Sequence, residues 1–364
     1  MVFGRSIPAI KCNISPGARA FALIWLSMGA IHHDCLVIEC SRGAAVESAH
    51  LVDAALVDAS GQVVEAWGDI ERFVYPRSAV KSIQALPFFE SGAADESGVT
   101  ETEIALACSS HNGQDAQVAA VRRWLERSGL NEQHLECGGH LPYHTETAHE
   151  CVRRGDGGLA IHNMCSGKHS AFLVTAKILG EETKDYIARE HPVQQRVSAA
   201  IGEMTGWDIS RSPWAVDGCS MPTIGLPLHA LARGAANIAD PSAQSPERQA
   251  AIARIRAAIA AEPFMIAGDG RACSDIIPAL AGKAYIKFGA EGVFFAPILE
   301  RGLGLAFKVR DGATRAADTA IASLLAYLGL LDSTAQEKLA AYIETPLSNW
   351  RGIHVGTVRA VLET

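Results

Sequence analysis

The sequence lacks the features that mark several common classes of protein. Its longest apolar run near the start, residues 21–26, is too short to span a bilayer. No cluster of Lys and Arg alternates with aromatic residues, and the net charge is -8, so nucleic-acid binding is not expected. The nine cysteines include no C-x-x-C pair, unlike the disulfide framework of a small secreted domain. We therefore predict a reduced, cytoplasmic compartment and no membrane or nucleic-acid partner.

What is present is the composition of an ordinary globular chain. Hydrophobic residues make up 48% and charged residues 20% of the 364 residues, enough to bury a large core. We expect residues 1–27 to be an extension outside the core, or to precede a start at Met28, and residues 28–364 to form a single domain. A signal peptide is the alternative, but Met28 stands three before a cut at Ala30, where signal peptidase requires a small residue.

Strand signals lie at both ends of this body, and helix signals fill its middle. Residues 51–67 read as a hairpin with a turn at 59–62. Thr100 and Glu103 form a capping-box signature, which predicts a short helix ending near Cys108. Three further strands are predicted over 284–289, 293–297 and 303–309, and longer helices over 115–128, 169–179, 226–235, 246–261 and 316–330. The predicted fold class is therefore α/β (α+β), with one mixed, mainly antiparallel sheet built from both chain ends and helices packed on it.

The segment 76–81, Pro-Arg-Ser-Ala-Val-Lys, carries the first candidate for chemistry. Ser78 and Lys81 are three residues apart, so on a helix both side chains share one face. A serine hydroxyl becomes a strong nucleophile when a neighbouring base takes its proton, and a buried lysine held neutral can be that base. The alternative is a chance Ser-x-x-Lys, in which the serine caps a helix and the lysine is solvated.

Two further segments combine small polar residues with reactive ones. Residues 108–114, Cys-Ser-Ser-His-Asn-Gly-Gln, suit a tight loop lining a polar pocket, or simply a helix C-cap and turn. In residues 163–170, Cys165 and Lys168 lie three apart at a predicted helix start. A thiolate is a good zinc ligand, whereas a lysine must first lose its proton and is otherwise a solvated residue.

Later segments offer three more candidates, each with a plain structural alternative. Cys219 lies in a Gly- and Pro-punctuated loop beside Asp217, where a cysteine is normally structural. Arg271 could hold a carboxylate with two hydrogen bonds, or pair with neighbouring acidic residues at the surface. Lys287 interrupts an apolar strand-like pattern, and its alternative is the solvent face of a strand.

Taken together, these segments resemble the zinc-dependent asparaginases typified by the rhizobial enzymes, also called the bacterial asparaginase II family. The likeness runs from about Cys35 to the C-terminus, in order and at compatible spacing, and leaves out residues 1–34. The resemblance implies a fold related to the serine β-lactamases and glutaminases, and a homodimer. The matching stretches are 42–43, 46–48, 76–81, 84–87, 109–114, 165–169, 217–222, 267–275 and 287–293.

The resemblance also assigns roles to residues that the spacing alone does not connect. It implies two Ser-Lys pairs in one pocket, and a Zn²⁺ ion held by two cysteines and a lysine with water in the fourth position. The implied catalytic residues are Ser78, Lys81, Ser110 and Lys287; the implied zinc ligands are Cys165, Lys168 and Cys219. The residues expected to bind substrate or to support these groups are Arg77, His111, His169, Asp217, Arg271 and Cys273.

The activity implied is hydrolysis of L-asparagine to L-aspartate and ammonia through an acyl-enzyme, with Ser78 preferred as nucleophile and zinc ordering the pocket. A serine acyltransferase of the penicillin-binding or β-lactamase kind is an alternative, although neither Ser-Asp-Asn nor Lys-Thr-Gly occurs in the chain. A glutaminase differs by one methylene in its substrate. The alternative outside enzymes is an amino-acid sensor whose zinc only staples the fold.

Overall fold

The computed structural model describes residues 31–362, so the expected extension at 1–27 lies outside the described residues. Nine strands form one sheet in the order β12-β13-β2-β3-β11-β10-β9, with β4 on β3 and β1 on β4. Among the described strands of this sheet, only β1 and β4 pair in parallel. The nine strands of this sheet are β1 (Ile31–His33), β2 (Leu36–Arg42), β3 (Ala45–Asp58), β4 (Val63–Trp67), β9 (Lys287–Gly289), β10 (Val293–Ile298), β11 (Leu303–Val309), β12 (Glu344–Ser348) and β13 (His354–Val361). Two separate strand pairs join β5 (Phe73–Val74) to β8 (Leu226–Pro227) and β6 (Trp214–Val216) to β7 (Pro222–Ile224).

The predicted hairpin over 51–67 is confirmed as β3 and β4. Its turn is fixed by Asp58, whose carboxylate accepts hydrogen bonds from Gln62 N at 2.9 Å and Ser60 Oγ at 2.6 Å. Gly61 takes a φ of +94° in this turn, a conformation that other residues rarely adopt. On its other side β3 pairs with β11, more than 240 residues later. The mixed sheet built from both chain ends is thereby confirmed.

Fifteen α-helices are formed by the described residues, and most of them lie between β5 and β9. They are α1 (Lys81–Gln84), α2 (Leu86–Glu90), α3 (Ala93–Glu96), α4 (Glu101–Ala107), α5 (Asp115–Arg127), α6 (Thr145–Arg154), α7 (Ser166–Ile178), α8 (Pro192–Thr205), α9 (Leu228–Ala239), α10 (Pro246–Ala261), α11 (Pro263–Ala267), α12 (Ala272–Ala279), α13 (Thr314–Tyr327), α14 (Ser333–Lys338) and α15 (Ala340–Ile343). None of them is long and apolar enough to cross a bilayer. The five predicted longer helices all occur, as α5, α7, α9, α10 and α13.

Local capping explains why several boundaries were predictable. Thr100 accepts a hydrogen bond from Glu103 N, and the Glu103 carboxylate accepts one from Thr100 N at 2.9 Å, which starts α4 as its sequence signature predicts. Ser245 caps α10 by accepting the N–H of Arg248, without a reciprocal bond, and Pro246 is the first helical residue.

Two parts of the sheet differ from the prediction. The strand predicted over 284–289 is shorter, because Tyr285 N bonds to Pro297 O and Pro297 has no N–H to return the bond. The C-terminal hairpin β12–β13 was not predicted. Pro346 interrupts its strand signal, and proline is tolerated there because β12 is an edge strand. Gly356 is required in β13, since a Cβ there would lie 1.9 Å from Ser41 O.

The fold brings the candidate segments to one region beside the sheet. A short 3₁₀ helix at Arg77–Val80 packs against β9, and a Cβ on Gly289 would lie 2.5 Å from Pro76 O. The start of α7 packs equally closely on α4, where a Cβ on Gly167 would lie 2.4 Å from Leu106 O. These two close approaches place the chain around Ser78, the loop after α4, the start of α7 and β9 next to one another.

Candidate active site

The hydroxyl of Ser110 lies between the amines of two buried lysines. Lys81 Nζ is 3.0 Å and Lys287 Nζ is 2.9 Å from Ser110 Oγ. Ser110 follows the end of α4, and its backbone N–H bonds to Ile266 O at 2.8 Å. The adjacent Ser109 hydroxyl donates instead to a backbone carbonyl of α4. Ser110, rather than Ser109, is therefore the serine that faces both lysines.

Both lysines are held in surroundings that favour their neutral form. Lys81 is fully buried and Lys287 is 3% exposed, and no carboxylate among the described residues forms a salt bridge with either one. Burial lowers the pKa of Lys81. Burial and the positive charge of Lys81 hold the pKa of Lys287 well below its ordinary value. The two amines around the Ser110 hydroxyl therefore bind fewer protons than two free lysines would at the same pH.

Ser78 lies beside this network, at the start of the 3₁₀ helix. Its neighbour Arg77 has a φ of +52°, a left-handed conformation that is uncommon for a residue with a side chain. Ser78 Oγ is 3.9 Å from Cys165 Sγ, and Lys81 Nζ is 3.2 Å from the same sulfur. The hydrogen bonds of Lys81 go to Ser109 O, Ser110 Oγ and Cys165 Sγ. Ser78 and Lys81, which were expected to meet directly, therefore flank the Cys165 sulfur.

A bidentate ion pair joins the Ser78 segment to the loop that carries Cys219. Arg77 Nε and Nη2 donate to the two carboxylate oxygens of Asp217 at 2.7 and 3.1 Å. Burial opposes ionisation of Asp217, but the hydrogen bonds from Arg77 and the charge of Lys168 outweigh it and keep its pKa below the ordinary value. The pair fixes two segments that are distant in sequence to each other.

The three predicted zinc ligands converge in one buried place. Lys168 Nζ is 3.3 Å from Cys219 Sγ. A hydrogen bond between the two thiols, together with burial, raises the pKa of Cys165 to about 12. The same bond and the charge of Lys168 hold the pKa of Cys219 well below its ordinary value. Burial opposes the charge of Lys168, yet the Cys219 thiolate outweighs it and raises the pKa of that amine.

The side chains of Cys165, Lys168 and Cys219 are chemically suited to hold a zinc ion. No group of three or more His, Cys, Asp or Glu side chains within residues 31–362 is placed to hold a metal. A metal held here would therefore need the amine of Lys168 beside the two thiols. Two thiolates and a nitrogen are ligands that Zn²⁺ accepts, and the water position of a four-coordinate site would remain open.

His111 supports the Ser110 loop as a neutral imidazole. Ser166 Oγ donates to Ile161 O at 3.0 Å, so His111 Nε2 donates to Ser166 Oγ at 2.8 Å. The other ring nitrogen accepts the N–H of Gly113 at 3.1 Å. Burial and the charge of Lys81 lower the pKa of His111 to about 3. Both nitrogens are thus engaged, and His111 ties the loop to α7 instead of facing the two lysines.

His169 is equally buried but keeps one nitrogen without a partner. Tyr186 Oη accepts the N–H of Glu136 at 3.0 Å and lies 2.6 Å from His169 Nδ1. His169 Nε2 has no hydrogen-bond partner among the described residues. Burial holds the pKa of His169 well below its ordinary value. Tyr186 fixes the ring of a histidine that is next to Lys168 in the chain.

Arg271 lies at the edge of the site, with its guanidinium stacked 4.4 Å from the ring centroid of Phe288. It donates to Asn112 Oδ1 at 3.1 Å, while Asn112 Nδ2 donates to Asp269 O at 3.0 Å. Asp275 accepts a hydrogen bond from Tyr342 Oη. Arg271 thus contacts an amide and an aromatic ring, rather than the carboxylates of Asp269 and Asp275. Its remaining guanidinium N–H groups can therefore donate to a further anion.

Some supporting residues were not singled out from the sequence. Asn163 accepts the N–H of Cys165 at 2.9 Å and donates to Cys137 O at 2.8 Å, which fixes the turn before α7. Its place two residues before Cys165 is the signal that could have identified it. Tyr186 lies in a segment with no periodicity or motif, and nothing in the sequence marks it. Cys273 was expected to line the pocket; it is fully buried, and burial raises its pKa to about 11.

The family model described as L-asparaginase II matches residues 38–360. The chain belongs to the L-asparaginase II family. Membership indicates an asparaginase-type amidohydrolase that acts on a small-molecule amide. No curated protein matches this L-asparaginase II family member significantly.

Solved structures show a weaker likeness to this asparaginase-family chain. A beta-lactamase from Mycobacterium bovis is 15% identical with a TM-score of 0.35, and the match covers 80% of this chain and 94% of that one. Simvastatin synthase from Aspergillus terreus is 10% identical with a TM-score of 0.35, covering 71% of this chain and 86% of that one. TM-scores this low establish neither a shared activity nor a shared mechanism.

Proposed function

We propose that this protein hydrolyses the side-chain amide of L-asparagine to L-aspartate and ammonia, with a serine nucleophile served by two lysines. The observation that carries the proposal is the Ser110 hydroxyl, which lies 3.0 and 2.9 Å from the amines of Lys81 and Lys287. Buried amines of lowered pKa take and return a proton more readily than free lysines do. Membership of the L-asparaginase II family supports an amide as the substrate.

Ser78 is the proposed nucleophile, because its position is the better one for attack on a substrate. Ser78 is 8% exposed, whereas Ser110 is fully buried. Ser78 is the second residue of the 3₁₀ helix, and its N–H precedes the first hydrogen bond of that helix, which Ala79 N makes with Pro76 O at 3.0 Å; the Ser78 N–H can therefore hold an oxyanion. The N–H groups of Ser110 and His111 already bond to Ile266 O and Met164 O. Neither of these N–H groups is therefore free to bind an oxyanion formed at Ser110.

The proposed proton path runs from Ser78 through Lys81 to Ser110. Lys81 Nζ takes the Ser78 hydroxyl proton as the oxygen attacks the amide carbon, for which the amine must exchange its contact with Cys165 for one with Ser78. Such hydrogen bonds commonly tighten only when substrate is bound. Collapse of the tetrahedral intermediate breaks the C–N bond, and a proton passes through Ser110 to the departing nitrogen as ammonia. Water, which gives its proton to Lys81, then attacks the aspartyl ester, and Lys81 returns that proton to Ser78 Oγ as the ester C–O bond breaks.

The charges around the site suit a substrate that carries both an ammonium and a carboxylate. Arg271 keeps guanidinium donors for the substrate carboxylate, and stacking on Phe288 limits its motion. Asp217 and the Cys219 thiolate supply negative charge in the site, although Asp217 shares its charge with Arg77. We propose that Arg271 binds the carboxylate and that the ammonium lies towards Asp217.

We propose that Cys165, Lys168 and Cys219 hold the zinc ion expected for this family. Zinc would supply a positive charge with an open coordination position that orders the pocket and holds the substrate. Lys168 would bind as a neutral amine, so its proton must leave when the metal binds. Nucleophile, base and proton path are all supplied by the serines and lysines, and Asn163 and the Arg77–Asp217 pair hold the ligand-bearing loops in place.

Ammonia release from asparagine and from glutamine, and ring opening of a chromogenic β-lactam, measured side by side, test the proposal. We expect turnover of asparagine, with glutamine slower by about 10- to 200-fold, the discrimination that one methylene provides in a fitted pocket. Faster turnover of glutamine would make the protein a glutaminase, and β-lactam hydrolysis without ammonia release would favour the acyltransferase alternative. Tight binding of asparagine without turnover of any of the three would favour the sensor.

A further inference from the structure

A concave pocket with a cavity volume of about 250 Å³ lies outside the candidate active site and shares one wall with it. Helix α10, the end of α12 and the chain before β9 and after β10 form its walls. The walls are mainly apolar, and none of the predicted catalytic or zinc-binding residues lines them. The residues that matter for its chemistry are Arg256, Ala260, Ile277, Tyr285 and Leu299. A pocket of this kind suits a small ligand with a compact apolar body.

Arg256 gives this apolar pocket a single positive charge. Two other arginines of α10, Arg248 and Arg254, form salt bridges with Glu90 and Asp95 at 2.5 and 2.6 Å. No salt bridge involves Arg256 in the part of the chain that the structure describes. Its guanidinium donates one long hydrogen bond, of 3.5 Å, to the backbone carbonyl of Ala239. A guanidinium has five N–H donors, so most of those of Arg256 are available to an anion.

The inner wall of the pocket adjoins the candidate active site. Tyr285 is 3% exposed, lines the pocket, and stands two residues before Lys287. Its hydroxyl and that of Ser82, the residue after Lys81, are both buried and interact with each other, but neither reaches good hydrogen-bond geometry with any of the described residues. Ser82, Tyr285 and Lys287 also line one small void together. A ligand that displaces Tyr285 would therefore act on a loosely satisfied region directly beside both lysines.

We propose that this pocket binds a small aliphatic monocarboxylate and that its occupancy changes turnover at Lys287. The carboxylate pairs with Arg256, and the aliphatic body packs on Ala260, Ile277 and Leu299. A dicarboxylate such as the product aspartate is a poor ligand, because its second charge would lie against apolar walls without a partner. The binding claim is independent of the proposed activity, whereas the claim about turnover depends on it.

Calorimetric titration of the full-length protein with isovalerate, in the absence of asparagine, tests the binding claim. Isovaleramide has the same shape without the charge and should bind at least about tenfold more weakly, as should isovalerate to Arg256→Met. Ala260→Phe fills the pocket and should abolish binding without removing the charge. Arg254→Met is the matched control on the same helix and should bind isovalerate as the wild type does.

Several outcomes would overturn the site. Equal binding of isovalerate and isovaleramide, unchanged binding by Arg256→Met and Ala260→Phe, or displacement of isovalerate by aspartate would each show that the pocket is not the binding site. For the second claim, saturating isovalerate should change kcat for asparagine by at least about twofold in the wild type and leave it unchanged in Ala260→Phe. Specific binding with no change in kcat would retain the site and overturn its coupling to Lys287.

Discussion

Lys287 Nζ lies 2.9 Å from Ser110 Oγ, although 177 residues separate the two in the sequence. Ser110 follows α4 in the helical middle of the chain, whereas Lys287 begins β9 at the edge of the sheet. Lys81 completes the arrangement from the segment that carries Ser78. Three distant parts of the chain thus place two amines around one hydroxyl, and the predictions below follow from that arrangement.

Lys287→Met should lower kcat for asparagine by about 10²- to 10⁴-fold with little change in KM, because it removes one of the two amines that hold the Ser110 hydroxyl, the last group of the proton path. Lys283→Met, which removes a lysine four residues earlier whose amine bonds to Leu330 O, is the matched control and should retain full activity. Steady-state measurement of kcat and KM for asparagine in both variants tests this prediction. A Lys287→Met enzyme with wild-type kcat would remove Lys287 from the reaction.

The same substitution should stabilise the folded protein near neutral pH. Burial and the charge of Lys81 lower the pKa of Lys287, so the folded chain binds fewer protons there than the unfolded chain does. The free-energy cost of burying the charged amine of Lys287 is fully present below the lowered pKa. It disappears as pH rises through the ordinary lysine pKa of about 10.4. Urea denaturation should show a gain in unfolding free energy for Lys287→Met at neutral pH that shrinks at high pH. A loss of unfolding free energy in Lys287→Met that is equal at neutral and at high pH would contradict the account.

Protein purified without chelator should contain one zinc ion per chain by metal analysis, and Cys219→Ser should lose most of it. Cys151→Ser, which changes a buried cysteine of α6, is the control and should keep the metal. Zinc affinity should fall as pH falls, since the Cys165 thiol and the Lys168 ammonium lose protons on binding. If zinc orders the pocket, Cys219→Ser should raise KM more than it lowers kcat. A collapsed kcat with unchanged KM would instead make the metal part of the chemistry.

Arg77→Lys should lower kcat/KM by about tenfold, because a lysine cannot make both hydrogen bonds to Asp217 that join the Ser78 segment to the Cys219 loop. The pair is partly exposed, so we expect only a small change in melting temperature. Arg42→Lys, in a surface pair with Glu47, should change neither quantity. Wild-type kcat/KM in Arg77→Lys would show that the ion pair does not position the site.

The parts of the fold that could be predicted are those with strong local signals. The capping box at Thr100 and the turn at Asp58 act within a few residues, so their outcome is visible in the sequence. The C-terminal hairpin depends on pairing between β13 and β2, more than 300 residues apart, and Pro346 disguises its edge strand. Long-range pairing of this kind leaves no local pattern.

The candidate site shows the same division. Spacing indicated that Ser78 and Lys81 share a face, but the contacts of Lys81 with Ser110 and Cys165 depend on how α4 and α7 pack. The pairing of Ser110 with Lys287 was implied only by the family resemblance. Tyr186 illustrates what could not be found, since its hydrogen bond to His169 arises from packing and no motif surrounds it.

The central claim is that asparagine is hydrolysed through an ester on Ser78, and one measurement tests it most directly. The enzyme is mixed with asparagine, quenched in acid within the first turnovers, digested, and mapped by mass spectrometry. The account predicts an aspartyl ester on the peptide that carries Ser78, absent from Ser78→Ala and accumulating in variants that release ammonia but hydrolyse the ester slowly. An ester found on Ser110 in the wild type, or ammonia release by Ser78→Ala at the wild-type rate, would contradict it.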